Sequence, residues 1–261
     1  MAILQSGRLF GFACLLVIMA AVAYYIKSAE KGKVPKVRRV AGIDAIDEAI
    51  GRAVEMGKPI VCSHGIANLR GATSGPQTLA GLSVLAYVSK KAIASNAQVI
   101  VPVRNPEVWP IAADIVETEY KLAGRADEFD SDDIRFLSSN QFGYSSNYMG
   151  LMMREKPGAN IMIGAYWAES LQLGETGNRV GAFQIAGTAN TSQIPFFLIT
   201  ADYCLIGEEI YSAGAYLSED GPLMGSLAGA DVGRLIAVVL GILGTLAYTA
   251  GINTLLDIFG M

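Results

Sequence analysis

The only histidine in this 261-residue chain, His64, stands in Cys62-Ser63-His64-Gly65, directly behind a short apolar run. A single imidazole excludes a histidine-rich metal centre and leaves one conventional general base. If the apolar run is a strand of a parallel sheet, Ser63 and His64 stand at its carboxyl end, where ligand-facing groups collect. Arg104 and Asn105 follow a second such run, Asn140 lies in the Ser138–Gln141 segment behind a third, and Tyr166, Trp167 and Glu169 follow a fourth. His64 as base with Arg104 as charge clamp would suit a small polar or anionic substrate. A hydrogen-bonded loop histidine explains the same residue without chemistry. Thr188, Asn190, Thr191 and Ser192 form a knot of hydroxyl and amide groups between two more apolar runs. Such side chains satisfy turn backbone groups locally. The knot is therefore expected to be a turn that lines the crevice or a subunit contact, supplying hydrogen bonds and no nucleophile.

Other motifs carry less. Gly71-Ala72-Thr73-Ser74-Gly75 has the outline of a nucleophile elbow with threonine for serine. It stands well behind its strand, and the strained strand-to-helix turn is the point of that motif. A loop with Thr73 or Ser74 capping the next helix ahead of Pro76 is the simpler account. No Rossmann glycine fingerprint follows a strand and no Walker lysine loop occurs; the glycines of "GETGNRVG" have the wrong spacing. The acidic run "DEFDSDD" lacks the central glycine and terminal glutamate of a calcium loop and reads as a solvated turn. No cofactor and no metal is expected.

The elements that must position these residues alternate. "GIDAIDEAIGRAVEMG" sets Ile43, Ile46, Ile50 and Val54 at helical spacing against Asp44, Asp47, Glu48 and Arg52. "PIVCS", "QVIVPV", "DIRFLS" and "NIMIGA" have the β-branched look of strands buried on both faces. Helical stretches lie between them near 77–94, 106–122 and 144–154. The pattern predicts an α/β domain with a Rossmann-like parallel or mixed sheet and helices on both faces. "GAFQIAG" and "IPFFLITA" both read as strands, yet only six residues join them, too few for a parallel crossover. One of the two is then antiparallel to its neighbour, or the linker leaves the sheet; Pro195 suits a strand start or an edge. A last helix is expected from Asp202, as its N-cap, to about Ser218, with Glu208 and Glu209 on its wet face.

At 52% hydrophobic residues and mean hydropathy +0.37 the chain is richer in apolar groups than an ordinary soluble domain. Leu9–Ile26 and Leu235–Leu256 are uncharged runs long enough to cross roughly 30 Å of hydrocarbon. The expected organisation is an N-terminal transmembrane anchor over 1–27, a basic juxtamembrane linker over 28–41, the α/β domain over 42–218, a Gly-rich linker over 219–234 and a C-terminal transmembrane helix over 235–256. Lys27, Lys31, Lys33, Lys36, Arg38 and Arg39 stand against Glu30 behind the first run, whereas the tail carries Arg8 alone. That excess places the domain on the cytoplasmic side of the cell membrane. A cleaved signal peptide ending at Ala21-Val22-Ala23 would send it outside instead. Cys14, Cys62 and Cys204 make no disulfide framework, which favours the anchor. A net charge of −4 argues against nucleic acid as a partner. The basic block can touch anionic membrane lipid.

Along the second half of the domain, "AESLQLGETGNRVGAFQIAGT" and "QIPFFLITADYCLIGEEIY", with "IDEAIGRAVEMGKPIV" and "TLAGLSVLAYVSKKA" before them, resemble a family of prokaryotic membrane proteins, domain of unknown function 6754. The resemblance implies a soluble domain tied to terminal spans and brings no reaction or catalytic residue with it. Ala237, Gly241, Thr245 and Thr249 recur every four residues along the second run, a small-residue stripe that lets helices approach. It serves either a homo-oligomer or packing against the first run. The expected role is a self-associating scaffold or ligand-binding component of a membrane assembly. The rivals are an enzyme on a small polar or anionic substrate and an accessory subunit of a larger membrane complex.

Overall fold

The computed structural model describes residues 9–33, 41–218 and 220–249. Arg8, the basic residues Lys36, Arg38 and Arg39, and the second apolar run beyond Thr249 lie outside the described residues. The chain divides into two units, one formed by its two ends and one by its middle, with the boundary between Ser218 and Glu219.

The ends form helices α1 (Leu9–Glu30) and α9 (Gly221–Thr249), each long and apolar enough to cross a membrane. They pack antiparallel. A Cβ on Gly225 would meet the Tyr25 carbonyl oxygen at 2.7 Å, one on Gly229 the Val22 Cα at 2.5 Å, and one on Gly233 the Ile18 side chain at 3.4 Å. Glycine at every fourth position thus brings the two backbones together. The segment expected to be a Gly-rich linker is therefore the start of α9, opened by Asp220, whose Oδ1 accepts from the Leu223 amide at 3.1 Å. The stripe Ala237, Gly241, Thr245 and Thr249 does not serve this contact. All four residues are exposed, and nothing lies within 4 Å of a Cβ on Gly241.

The middle unit runs α2 (Ala41–Glu55), β1 (Ile60–Gly65), α3 (Gly75–Ala94), β2 (Val99–Val103), α4 (Trp109–Leu122), β3 (Ile134–Phe136), α5 (Gln141–Glu155), β4 (Ala159–Ala165), α6 (Ser170–Val180), β5 (Phe183–Thr188), α7 (Ile194–Thr200), β6 (Tyr203–Ile206) and α8 (Glu209–Ser218). The six strands form one sheet in the order β3-β2-β1-β4-β5-β6, and every neighbouring pair is parallel. This is the doubly wound order, in which the connections leave β1 and β4 toward opposite faces and open a crevice at their carboxyl ends. Ile43, Ile46, Leu85, Val88, Val116 and Ile210 fill one face of the sheet, with Ile60 and Cys62. Tyr144, Tyr148, Leu151, Leu173 and Phe197 fill the other, with Val61 and Met162.

Two sequence expectations fail at the end of the sheet. "IPFFLITA" is not a strand but α7, so β5 and β6 are joined by a helix and no antiparallel strand is needed. Pro195 occupies the first turn of α7, where its missing N–H costs nothing, and Phe197 and Thr200 at a spacing of three form the buried face. Asp202 caps no helix. It precedes β6, and its Oδ2 accepts from the Gln184 amide at 2.7 Å. Glu209 begins α8 and turns its Oε2 to the Ile206 amide at 2.8 Å. Two smaller differences concern turns. Ser74 holds the N-cap position of α3 without a side-chain capping bond, and the acidic run folds into two short 3-10 turns, the second capped by Asp130 through the Asp132 amide.

Candidate functional site

The carboxyl ends of the strands gather most of the residues singled out from the sequence, but their side chains are turned onto one another and onto loop carbonyls. After β2, Arg104 Nη1 and Asn105 Nδ2 both donate to the Ile66 carbonyl, at 2.8 and 2.9 Å, and Arg104 Nε donates to the Ser139 carbonyl at 3.2 Å. These bonds tie the loops behind β1, β2 and β3 together. Asn140 caps α5, its Oδ1 accepting from the amides of Phe142 and Gly143. Glu169 is buried at 2% exposure; its Oε2 accepts from Gln141 Nε2 at 2.6 Å and its Oε1 from the Trp167 amide at 2.9 Å.

Across the switch point the lacing is done by a residue that the sequence reading passed over. Gln77, in the first turn of α3 and buried, accepts at Oε1 from the Ala189 amide at 3.0 Å and from Thr188 Oγ1 at 3.3 Å. Its Nε2 donates to Asn190 Oδ1 and to the Thr73 carbonyl. Asn190 Nδ2 in turn donates to the Tyr166 carbonyl at 2.6 Å. The knot is therefore a strand-to-helix loop, not a strand reversal. The Asn190 carbonyl receives the amides of Gln193 and Ile194 where α7 begins. Thr191 and Ser192 point outward.

Ser63 and His64, adjacent in β1, face opposite sides of the sheet. Ser63 Oγ lies 3.0 Å from the Tyr144 hydroxyl and accepts from the Tyr166 hydroxyl at 2.8 Å. Burial pushes both phenols well above their ordinary range, so this cluster is a set of neutral hydrogen bonds inside the core. His64 is 1% exposed and lies within the strand instead of standing in an open crevice. Its main chain is clasped by glycines. A Cβ on Gly81 of α3 would stand 2.8 Å from the His64 Cα, and one on Gly164 of β4 2.2 Å from its carbonyl oxygen. Burial pushes the imidazole down to about 4, and its Nδ1 has no hydrogen-bond partner. A ring so placed is neutral at physiological pH.

The amino ends hold a second polar group. Asn160 and Gln184 are register partners on β4 and β5, in the same row as Val61 and Ile100. Tyr148 donates to Asn160 Oδ1 at 2.7 Å, and Asn160 Nδ2 donates to Gln184 Oε1 at 2.9 Å. Gln184 Nε2 reaches the Gly174 and Thr200 carbonyls at 2.8 Å each and Asn178 Oδ1 at 3.0 Å. One amide thus fastens α6 and α7 to β5. Gly177 must lack a Cβ, which would fall 1.9 Å from Gln184 Oε1. The run "ETGNRVGAFQIAGT" is explained as structure. Beside it opens a cleft of about 510 Å³ lined by Arg52, Glu55, Met56, Asn178, Phe183 and Asp202. Its cation is already engaged: Arg52 donates to Glu48 at 2.7 Å and stacks 4.4 Å over the Phe183 ring. Among the described residues no three His, Cys, Asp or Glu side chains converge to hold a metal.

The comparison that identifies a family covers nearly the whole chain. The profile described as Domain of unknown function (DUF6754) matches residues 1–259. The chain belongs to that family. As a DUF6754 protein it matches no curated protein and no solved structure. The matched region takes in both terminal helices as well as the sheet.

Proposed function

We propose that this DUF6754 chain is an integral protein of the cell membrane whose α/β domain lies on the cytoplasmic side and serves as a self-associating binding or scaffolding component of a membrane assembly. The observation that carries the reading is the lacing of the strand carboxyl ends. Arg104, Asn105, Glu169, Thr188 and Asn190 hydrogen-bond to neighbouring elements, and Asn140 caps α5. An active site at this end needs polar groups presented to a substrate. Here they join the domain's own loops into one laced surface, which suits recognition of a partner. The antiparallel pairing of α1 with α9 supports a membrane anchor, since it leaves the Glu30 and Asp220 ends of the two helices together.

The enzyme reading keeps one observation, the unpartnered Nδ1 of His64 at the switch point. The accessory-subunit reading shares the surface described for the scaffold.

Topology is tested by placing a cysteine at Asp220 in a Cys204→Ala background and adding a membrane-impermeant maleimide. Labelling is expected only after the membrane is permeabilised. Labelling of intact cells overturns the cytoplasmic placement, and recovery of the chain in the soluble fraction overturns the anchor itself.

A further inference from the structure

α9 carries an acid and a base where its packing partner is purely apolar. Gly229 sits against Val22 and Gly233 against Ile18, so Asp231 is level with Ala20 and Arg234 with Val17. Those residues are the middle of the uncharged run from Leu9 to Ile26. If the hydrocarbon layer is centred on that run, the ion pair between Arg234 and Asp231 stands near mid-depth. Shifting the layer to the uncharged part of α9, beyond Arg234, leaves Val17 to Ile26 outside it, with Met19 at 58% exposure facing water. The fixed offset of the two helices therefore sets charge against hydrocarbon in one placement and apolar surface against water in the other.

The pair also faces away from α1. At ~100° per residue, Asp231 and Arg234 fall on the side of α9 opposite Gly225, Gly229 and Gly233. Their side chains are 67% and 49% exposed. Ionised groups at membrane depth are costly when they face lipid and are covered by protein or water. Resting on the membrane reading above, we infer that this side of α9 is the interface with a second copy of the chain, in which Asp231 of each copy pairs with Arg234 of the other. The charge pattern selects the occupant. An acid and a base one helical turn apart are self-complementary about a two-fold axis along the membrane normal, since the rotation sets each opposite its counter-charge. Gly241 and Thr245, on the same side and free of bulk, let the second helix come close.

The test uses the full chain in native membranes and mild detergent. Asp231→Arg makes the face wholly basic and Arg234→Asp wholly acidic. Each variant alone is expected to run as a monomer, whereas the two co-expressed with different tags co-purify as well as two tagged wild-type chains do. Variants that stay dimeric alone, or that fail to recover each other, overturn the exchange of charges. Gly241→Cys with Cys14 and Cys204 replaced by alanine gives a readout that keeps both charges. Oxidation in membranes should yield a disulfide-linked dimer, and monomer only overturns the interface. Carbonate extraction separates the two ideas. A chain held in the membrane yet monomeric overturns the pairing alone, while a chain released by carbonate overturns the membrane reading and the pairing with it.

Discussion

The two ends of the parallel sheet solve the same problem differently. At the amino end, Tyr148, Asn160, Gln184 and Asn178 form an unbroken chain of hydrogen bonds, with Asn160 and Gln184 sealed in the core. At the carboxyl end the bonds run from side chains to loop carbonyls, several near the surface, and the series stops at a buried imidazole nitrogen with nothing to bond. Buried polar groups are strong fasteners only when all are satisfied. The amino end is therefore the rigid foundation. The carboxyl end is where a small change of condition or sequence alters the surface while the foundation holds.

The contrast breaks most severely if Gln184 is cut. Gln184→Ala leaves Asn160 Nδ2 without its acceptor and takes a donor from the Gly174 and Thr200 carbonyls at once, and urea unfolding of the detergent-solubilised chain should show a loss of about 3 kcal/mol or more. A loss below about 1 kcal/mol would mean that the network contributes little. His64 comes next. Its folded value of about 4 lies below the ordinary 6.5, so the unfolded chain binds the extra proton as pH falls. Stability from this group is intact above pH 6.5 and declines toward pH 4, by up to about 3 kcal/mol. His64→Gln should flatten that part of the stability profile relative to wild type; an unchanged slope would place its source elsewhere. The smallest effects belong to the lacing. Asn105→Ala and Arg104→Ala should each cost about 1 kcal/mol or less, and together more than their sum, because either donor alone keeps the Ile66 carbonyl satisfied. Additive losses, measured by the same unfolding, would show separate roles.

The doubly wound core was legible because its runs are long and its helices amphipathic: Ile43, Ile46 and Ile50 at helical spacing lie on the core side of α2, and "NIMIGA" lies within a fully buried β4. The far end of the sheet was hidden by length. α7 has seven residues and β6 four, too few repeats for periodicity to tell a helix from a strand, and a short apolar run with Pro195 at its head fits a strand as well as a helix. Glycine misled at the start of α9. Gly225 and Gly229 have the look of a linker, yet each removes a Cβ where α1 presses in, as Gly174 and Gly177 do in α6 beneath Thr200 and Gln184. Of the site, the sequence placed Arg104, Asn105, Asn140 and Glu169 near strand ends but could not show that their hydrogen bonds close on the protein itself. Gln77 was silent because an amide early in a helix has no motif. Asn160 and Gln184 did leave a mark: each is a lone amide near the start of an otherwise apolar run.

The edges of the sheet bear on how such a chain tolerates crowding. Its outermost strands, β3 and β6, are also its shortest, at three and four residues. A strand this brief offers too few free main-chain groups to template another chain. On the membrane reading proposed above, molecules tethered to a common surface would meet far more often than molecules in solution, and a long bare edge would turn those meetings into open-ended stacking. With both margins trimmed, collisions between neighbouring domains end without a growing ribbon, and any lasting assembly is left to surfaces that close on themselves.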